Sequence, residues 1–392
     1  MSRFLDLVTK PVRELGCYAP APQGSQSAQD RRLIRLDSNE NPLGPSPRAL
    51  EAIQRALADS HLYPDNDSAV LAAKLSDIHD VSLDQILVTA GSAGMLSLLC
   101  HTLLSPGLNA VTSEKSFIVY GMTVRATGAG LIEAPVRDEG FDLVAIVKAI
   151  NDRTRLVLLA NPNNPTGTLF NADELEQFLN AVPGHVVVVL DEAYHEFAAH
   201  FAQRRRIEYS RSLSYVRQGA SVVVLRTFSK AHGLAGLRIG YGLGPAELMA
   251  YCKRIQDTYS VSSVAQAAAI AALDDVDHVA RSVSHNAGQA QVLEAGLSKL
   301  GLRTVPTWAN FVYCDLQDPA EALCSRLLEE GISVRPLGAW GAPTCMRVSV
   351  GTDEQNKALL AAISKATDSR SSAVGKRTDR PENPNPANHE GH

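Results

Sequence analysis

The sequence predicts an α/β protein: a large three-layer domain around a mostly parallel, mixed seven-stranded sheet, with a smaller α+β domain beside it. Three observations predict it. Seven short apolar runs alternate with helical patterns along the first two-thirds of the chain, which is the order of a parallel-rich sheet. Many of these runs are β-branched on both faces, as strands covered by helices on both sides are. The 392 residues exceed what one core fills, since single cores stop growing near about 250–300 residues.

In chain order, residues 1–44 read as an N-terminal arm that ends in part of the small domain. The arm has one short amphipathic stretch, then polar sequence from Gln23 to Arg32. The stretch from Pro45 to about Asp80 has helical periodicity in RALEAIQRALA and AVLAAKLSDI, split by the turn Tyr63-Pro64-Asp65. The predicted strands of the large domain (45–275) are Gln85–Thr89, Ala110–Thr112, Gly130–Ala134, Leu156–Ala160, Val186–Leu190, Val222–Leu225 and Ile239–Gly242. A helix starting at Val264 and another over His278–Leu300 lead into the small domain (276–366). There Phe311–Cys314, Ile332–Val334 and Met346–Val350 are predicted strands, with helices over Ala320–Glu330 and Asp353–Ala366. Residues 367–392 hold only Val374 as a sizeable apolar side chain and are expected to be disordered.

Composition narrows the function classes. The net charge of −5 and pI near 6.1 give no general affinity for nucleic acid or an anionic membrane. No apolar run reaches the ~18 residues of a membrane span, and the N-terminus mixes acids and bases. Cys17, Cys100, Cys252, Cys314, Cys324 and Cys345 form no CxxC pair and no zinc-spaced cluster, so they read as free thiols and no metal is expected. The expectation is a cytoplasmic protein without a targeting segment.

Four segments carry chemistry. In SVVVLRTFSKAHGLAGLRIGYG, Lys230 follows a buried strand. Desolvation there disfavours its charged form and makes it an amine suited to Schiff-base chemistry. Thr227, Ser229 and Arg238 offer donors, and Gly233 and Gly236 let backbone approach an anion. By itself the segment also reads as a surface loop with a solvated lysine. In HVVVVLDEAYHEF, Asp191 sits at the C-terminal end of a strand, the edge where open α/β sheets bind ligands. A buried carboxylate there needs a cationic partner, such as a protonated pyridine nitrogen, and Tyr194 could bond the same ligand. Asp191 alone also reads as a helix cap or metal ligand. In LLANPNNPTGT, a tight turn follows a strand and Asn164 can present its amide. In VTAGSAGMLSLL, the N–H groups at Ser92 and Ala93 open a helix, a ready phosphate site.

TFSKAHGLAGLRIGYG, LDEAY and NPNNPTG, in this arrangement, resemble the fold-type-I pyridoxal-phosphate aminotransferases. LDSNENPLGPSP, LYPD, ANF, ISVRPLG and MRVSVGT are similar to the histidinol-phosphate aminotransferase family in particular, and the resemblance spans roughly residues 15–366. It implies a transferase of amino groups working by a ping-pong mechanism with pyridoxal 5'-phosphate as cofactor, with histidinol phosphate and 2-oxoglutarate as the first substrate pair. It implies that Lys230 carries the cofactor and shuttles the proton, that Asp191 pairs with the pyridine nitrogen, and that Asn164 and Tyr194 bond the phenolic oxygen. Ser92, Ala93, Thr227, Ser229 and Arg238 would hold the phosphate, and Phe117 would stack on the ring. Tyr63 would reach the phosphate of a second subunit, which implies a homodimer. Arg347 would bind the substrate carboxylate or phosphate, with Arg335, Tyr18 and Asn39 assisting.

The chain departs from that pattern at Ala93 and Gly94, where an acidic pair is usual, and at His232, where Phe or Tyr is usual. Phe117 lacks the hydroxyl a tyrosine would offer. These changes leave the cofactor chemistry intact and bear on the substrate. An aromatic or other amino-acid aminotransferase of a secondary pathway stays open. So does a decarboxylase or oxidase on the same scaffold. A cofactor-binding regulatory protein without catalysis is disfavoured by Lys230. Trp308 and Trp340 read as packing residues, and His195 and His200 as surface ones.

Overall fold

Alternation within the strands decides the layers. In the run Thr154–Ala160, Val157 and Leu159 enter one buried cluster while Leu156, Leu158 and Ala160 enter another. Val222–Thr227 and Val187–Asp191 divide the same way, with Val222, Val224, Val188 and Leu190 on one face and Val223, Leu225 and Val189 on the other. A strand with period-2 side chains buried on both faces needs a helical layer on each. The computed structural model describes residue 4, residues 7–17 and residues 33–375, with 367–375 as backbone alone.

The large sheet has seven strands in the order Ile86–Thr89, Gly240–Leu243, Val222–Thr227, Val187–Asp191, Thr154–Ala160, Asn109–Ser113, Gly130–Ala134. Gly240–Leu243 runs antiparallel to both of its neighbours, and the remaining pairs are parallel. The C-terminal ends of the other six strands therefore share one edge. Thr89, Ala160, Asp191 and Thr227 all stand there, and Gly240 pairs with Thr89 and Thr227 at that edge.

A second sheet has five strands: Ile34–Leu36, Ile332–Pro336, Cys345–Ser349, Phe311–Asp315 and Arg303–Val305, in that order. Helices Val276–Lys299, Ala320–Glu329 and Asp353–Gly375 cover it around Leu36, Leu293, Val312, Leu327, Val348 and Ile363. Ile34–Leu36 and Arg303–Val305 have three residues each, too few to show alternation in the sequence. A hairpin, Val136–Arg137 with Gly140–Phe141, was likewise not predicted. The last helix runs to Gly375, past the Ala366 expected, because no Gly or Pro interrupts residues 353–374. Residues 376–392 lie outside the described residues, as do residues 1–3, 5–6 and 18–32 of the predicted arm. Among the described residues no helix is long and apolar enough to cross a membrane. The described cysteines are free, with Cys17 exposed and the other five buried.

Candidate active site

At the shared strand edge, facing the strand that carries Arg347, lies a cavity of about 280 Å³. Its wall includes Asn39, Ser92, Ala93, Phe117, Asn164, Asp191, Tyr194, Thr227, Ser229, Lys230, Arg238, Arg335 and Arg347. The cavity thus brings together residues that lie up to 308 positions apart in sequence, from Asn39 to Arg347.

Lys230 is placed by the strand Val222–Thr227 and the turn behind it. Its Nζ donates to the carbonyls of Asn39 (3.1 Å) and Ser38 (3.3 Å) and lies 5.6 Å from the Tyr194 ring centre. Burial lowers its pKa to about 7, and the positive Arg347 and Arg238 act the same way. An ordinary lysine is almost wholly charged at neutral pH, and this one gives up its proton far more readily.

Asp191 closes the next strand. Its Oδ1 accepts the Ala193 N–H (3.2 Å), and its Oδ2 accepts the Tyr120 hydroxyl (3.1 Å). Burial raises its pKa to about 6, opposed by those two donors. The carboxylate is held by two neutral donors, and a ligand cation would complete its shell. Tyr120 was not singled out from the sequence. It stands three residues after Phe117, the two rings meet edge to face at 5.5 Å, and that Phe-x-x-Tyr spacing at a helix start is the signal that points to it.

Asn164 sits in the tight turn after Thr154–Ala160. Its Oδ1 accepts from Arg347 Nη1 at 2.5 Å, while Arg347 Nη2 donates to the Asp37 carbonyl at 2.7 Å. Tyr194 OH accepts from Asn39 Nδ2 at 2.9 Å. Asn39 has a left-handed backbone (φ 55°), which asparagine tolerates better than most residues. Arg335 and Arg347 are Cα partners on adjacent strands, so two guanidinium groups enter one side of the cavity.

The opposite end is a cradle for an anion. Helix Ser92–Leu103 opens there with Gly91 (φ +77°) as its cap, leaving its first N–H groups available. A Cβ on Gly91 would stand 2.7 Å from Arg238 Nη2, and one on Gly240 would stand 2.7 Å from the Ser92 nitrogen. Thr227 Oγ1 donates to Ser229 Oγ at 3.0 Å, and Arg238 Nη1 reaches the same Ser229 oxygen at 3.4 Å. Glycine is needed where backbone must approach this closely.

Amine, buried carboxylate and anion cradle, set around one cavity beside an aromatic ring, suit a ligand that combines a carbonyl, a basic ring nitrogen and a phosphate. The donor set fits pyridoxal phosphate.

Some expectations are placed elsewhere. Tyr63, expected at the phosphate of a second subunit, does not line its own chain's cavity; it is 81% exposed and stacks on Tyr259 at 4.5 Å. Tyr18 lies outside the described residues. His232 does not line the cavity; it is buried against Phe228 with Nε2 3.8 Å from Glu196 Oε1, and burial lowers its pKa to about 4. Trp308 packs under Arg205, as expected of a packing residue. Trp340 packs against Tyr313, Leu337, Ala342 and Cys345, as expected, and in addition lines the cavity: it stands on the short turn Gly338–Trp340 between the strands that carry Arg335 and Arg347. His195 and His200 are half-buried rather than on the open surface.

A model of the aminotransferase class I and II family matches residues 31–363. The chain is 42% identical over 367 residues to histidinol-phosphate aminotransferase 2 of Pseudomonas fluorescens, covering 92% of this chain and 98% of that protein. It is 43% identical over 371 residues to the protein of the same name from Pseudomonas aeruginosa, covering 93% and 99%. The solved histidinol-phosphate aminotransferase of Sinorhizobium meliloti, in complex with pyridoxal-5'-phosphate, superposes with a TM-score of 0.84 at 30% identity, covering 94% of this chain and 98% of that one.

Proposed function

We propose that this chain, which belongs to the class I and II aminotransferase family and is a pyridoxal-phosphate-dependent enzyme, transfers the amino group of histidinol phosphate to 2-oxoglutarate. The observation that carries the reading is the pairing, in one cavity, of a near-neutral lysine with two arginines on the facing strands. When bound, the cofactor supplies the carbonyl that takes the amino group and the ring that accepts electrons from Cα.

The residues of the chain divide the rest of the work. Lys230 Nζ, with its lowered pKa, is the base that would take the Cα proton of the amino donor in one half-reaction and deliver a proton to Cα of the new amino acid in the other. Asp191 would hold the proton on the ring nitrogen, with its carboxylate fixed by Tyr120 and Ala193. Asn164 and Tyr194 would orient the ring oxygen, and Phe117 would cover the ring face. Arg238, Ser229, Thr227 and the start of helix Ser92–Leu103 would bind the cofactor phosphate. Arg347 and Arg335 would take the carboxylate of 2-oxoglutarate in one half-reaction and the phosphate of histidinol phosphate in the other, as bidentate forks suited to both.

The proposal includes a homodimer in the cytoplasm. Tyr63 is exposed and outside the lining of its own chain's cavity, and Leu57, Leu62 and Val70 are exposed near it in sequence. A second copy would cover that apolar face and place Tyr63 at the other copy's phosphate cradle. The buried free thiols suit a reducing compartment.

A steady-state panel tests the substrate, with histidinol phosphate, phenylalanine, arginine and glutamate as donors. The expected result is the highest kcat/KM with histidinol phosphate. A higher value for phenylalanine or arginine, or release of CO₂ or peroxide without dependence on the oxo acid, would overturn it.

A further inference from the structure

The hairpin Val136–Phe141 turns through Asp138 and Glu139, both left-handed (φ +52° and +61°). Two-residue hairpin turns of this hand favour Asn-Gly, because a side chain with a Cβ and no local hydrogen bond is disfavoured there. A glutamate at the second position is therefore a local cost, and the contacts of its side chain say what offsets it.

The Glu139 carboxylate is only 14% exposed and meets three groups. Lys115 Nζ lies 2.8 Å from Oε2, Arg303 Nη2 lies 3.2 Å from Oε1, and the Tyr313 hydroxyl lies 3.3 Å from Oε2. Burial alone would raise its pKa; Lys115 and Arg303 instead hold the carboxyl below the usual range, so it is ionised. Its backbone carbonyl also accepts from Thr168 Oγ1 at 3.3 Å.

These partners come from both sheets. Lys115 precedes Phe117 by two residues, and its carbonyl accepts from Asn163 Nδ2 (2.9 Å), next to Asn164. Arg303 and Tyr313 belong to the small sheet, and Tyr313 is the Cα partner of Arg347. The Tyr313 hydroxyl also lies 3.0 Å from Cys345 Sγ, on the strand of Arg347. An exposed ion pair contributes little; here the Lys115 pair is largely buried, and the link to the small sheet is made by the buried Tyr313 hydroxyl together with Arg303, which is half-exposed and shared with Asp315.

We infer that Glu139 is a positioning residue for substrate binding: its carboxylate ties the strands beside Arg347 to the loop that carries Phe117 and Asn164, and so sets the width of the cavity where a substrate anion is held. The inference rests on the reading of Arg347 as the anion-binding group. It assigns no chemistry to Glu139. Of the cofactor set, Asp191, Lys230, Ser229 and Arg238 come from the large domain and make no contact with the tie, whereas Asn164 is bonded to Arg347.

The test uses the holoenzyme and the variants Glu139→Gln and Glu139→Gly. Glycine suits the left-handed turn, so the second variant removes the carboxylate while relieving the backbone. Both are expected to raise KM for 2-oxoglutarate roughly tenfold, with kcat within about twofold and cofactor affinity unchanged. Lys115→Met combined with Glu139→Gln should add little further loss, since both break one network. A wild-type KM in Glu139→Gly would overturn the inference, because the turn and not the carboxylate would then matter. Equal losses in cofactor affinity and KM would overturn it too, since they mark a general structural role. An Arg347→Met variant separates the two levels. If it leaves KM unchanged, the reading of Arg347 fails; if it raises KM and the Glu139 variants do not, the tie fails.

Discussion

Replacing Tyr120 with phenylalanine removes one buried hydroxyl and keeps the ring that packs against Phe117. Asp191 then retains the Ala193 N–H of the two donors described above. A hydrogen bond to a charged group contributes about 1.5–3 kcal/mol, and one pKa unit corresponds to about 1.4 kcal/mol, so the loss is worth roughly one to two units. The sign is upward: Tyr120 favours the ionised carboxylate, and without it the pKa moves from about 6 toward 7 or 8. Cofactor binding needs the ionised form, to pair with a protonated ring nitrogen. The wild-type site is therefore mostly competent at pH 7, while the variant is about half to one-tenth competent. Affinity for pyridoxal phosphate should fall roughly two- to tenfold at pH 7, and the deficit should shrink to nothing by about pH 9. The assay is titration of apoenzyme with cofactor, followed by visible absorbance at several pH values. A deficit of the same size at every pH would refute the reasoning, as would no deficit at pH 7.

Other perturbations have equally direct outcomes. Lys230→Ala should lower transamination by roughly 10²–10⁴-fold or more, and borohydride reduction should no longer fix the cofactor to the chain, as read by intact mass. Arg347→Met should raise KM for 2-oxoglutarate by an amount corresponding to about 2–5 kcal/mol, with a smaller loss of cofactor affinity through its bond to Asn164. Gly240→Ala would place a Cβ 2.7 Å from the Arg226 carbonyl and the Ser92 nitrogen, so it should cost about 1–3 kcal/mol in thermal unfolding and weaken phosphate binding. Tyr63→Phe should leave the monomer's melting temperature unchanged and weaken cofactor binding; equilibrium sedimentation of the wild type should show two copies.

The large sheet was legible because its strands are buried on both faces and its helices are not, so a change of hydrophobic period marks each boundary. The edges of strands were less legible. Asp191 and Thr227 belong to strands that the apolar pattern ends at Leu190 and Leu225, because a polar side chain at the ligand edge looks like a stop. Site residues adjacent to a motif, such as Lys230, Arg238 and Asn164, were readable from glycine and hydroxyl spacing. Residues that act through distant partners were not. Tyr120 matters because a helix start is carried to Asp191, 71 positions away, and Glu139 because a hairpin is carried to strands of the other sheet. Trp340 packs as expected, and its additional place at the cavity comes from the turn between the two arginine-bearing strands. His232 shows the converse, a departure in a motif that the fold absorbs as a buried neutral ring.

The central claim, that this cavity takes the amino group of histidinol phosphate, is tested most directly by a half-reaction without turnover. Purified holoenzyme mixed with histidinol phosphate alone should lose the visible absorbance of the lysine-bound cofactor, and 2-oxoglutarate added afterwards should restore it. An unchanged spectrum with histidinol phosphate, beside a clear change with phenylalanine or arginine, would contradict the account.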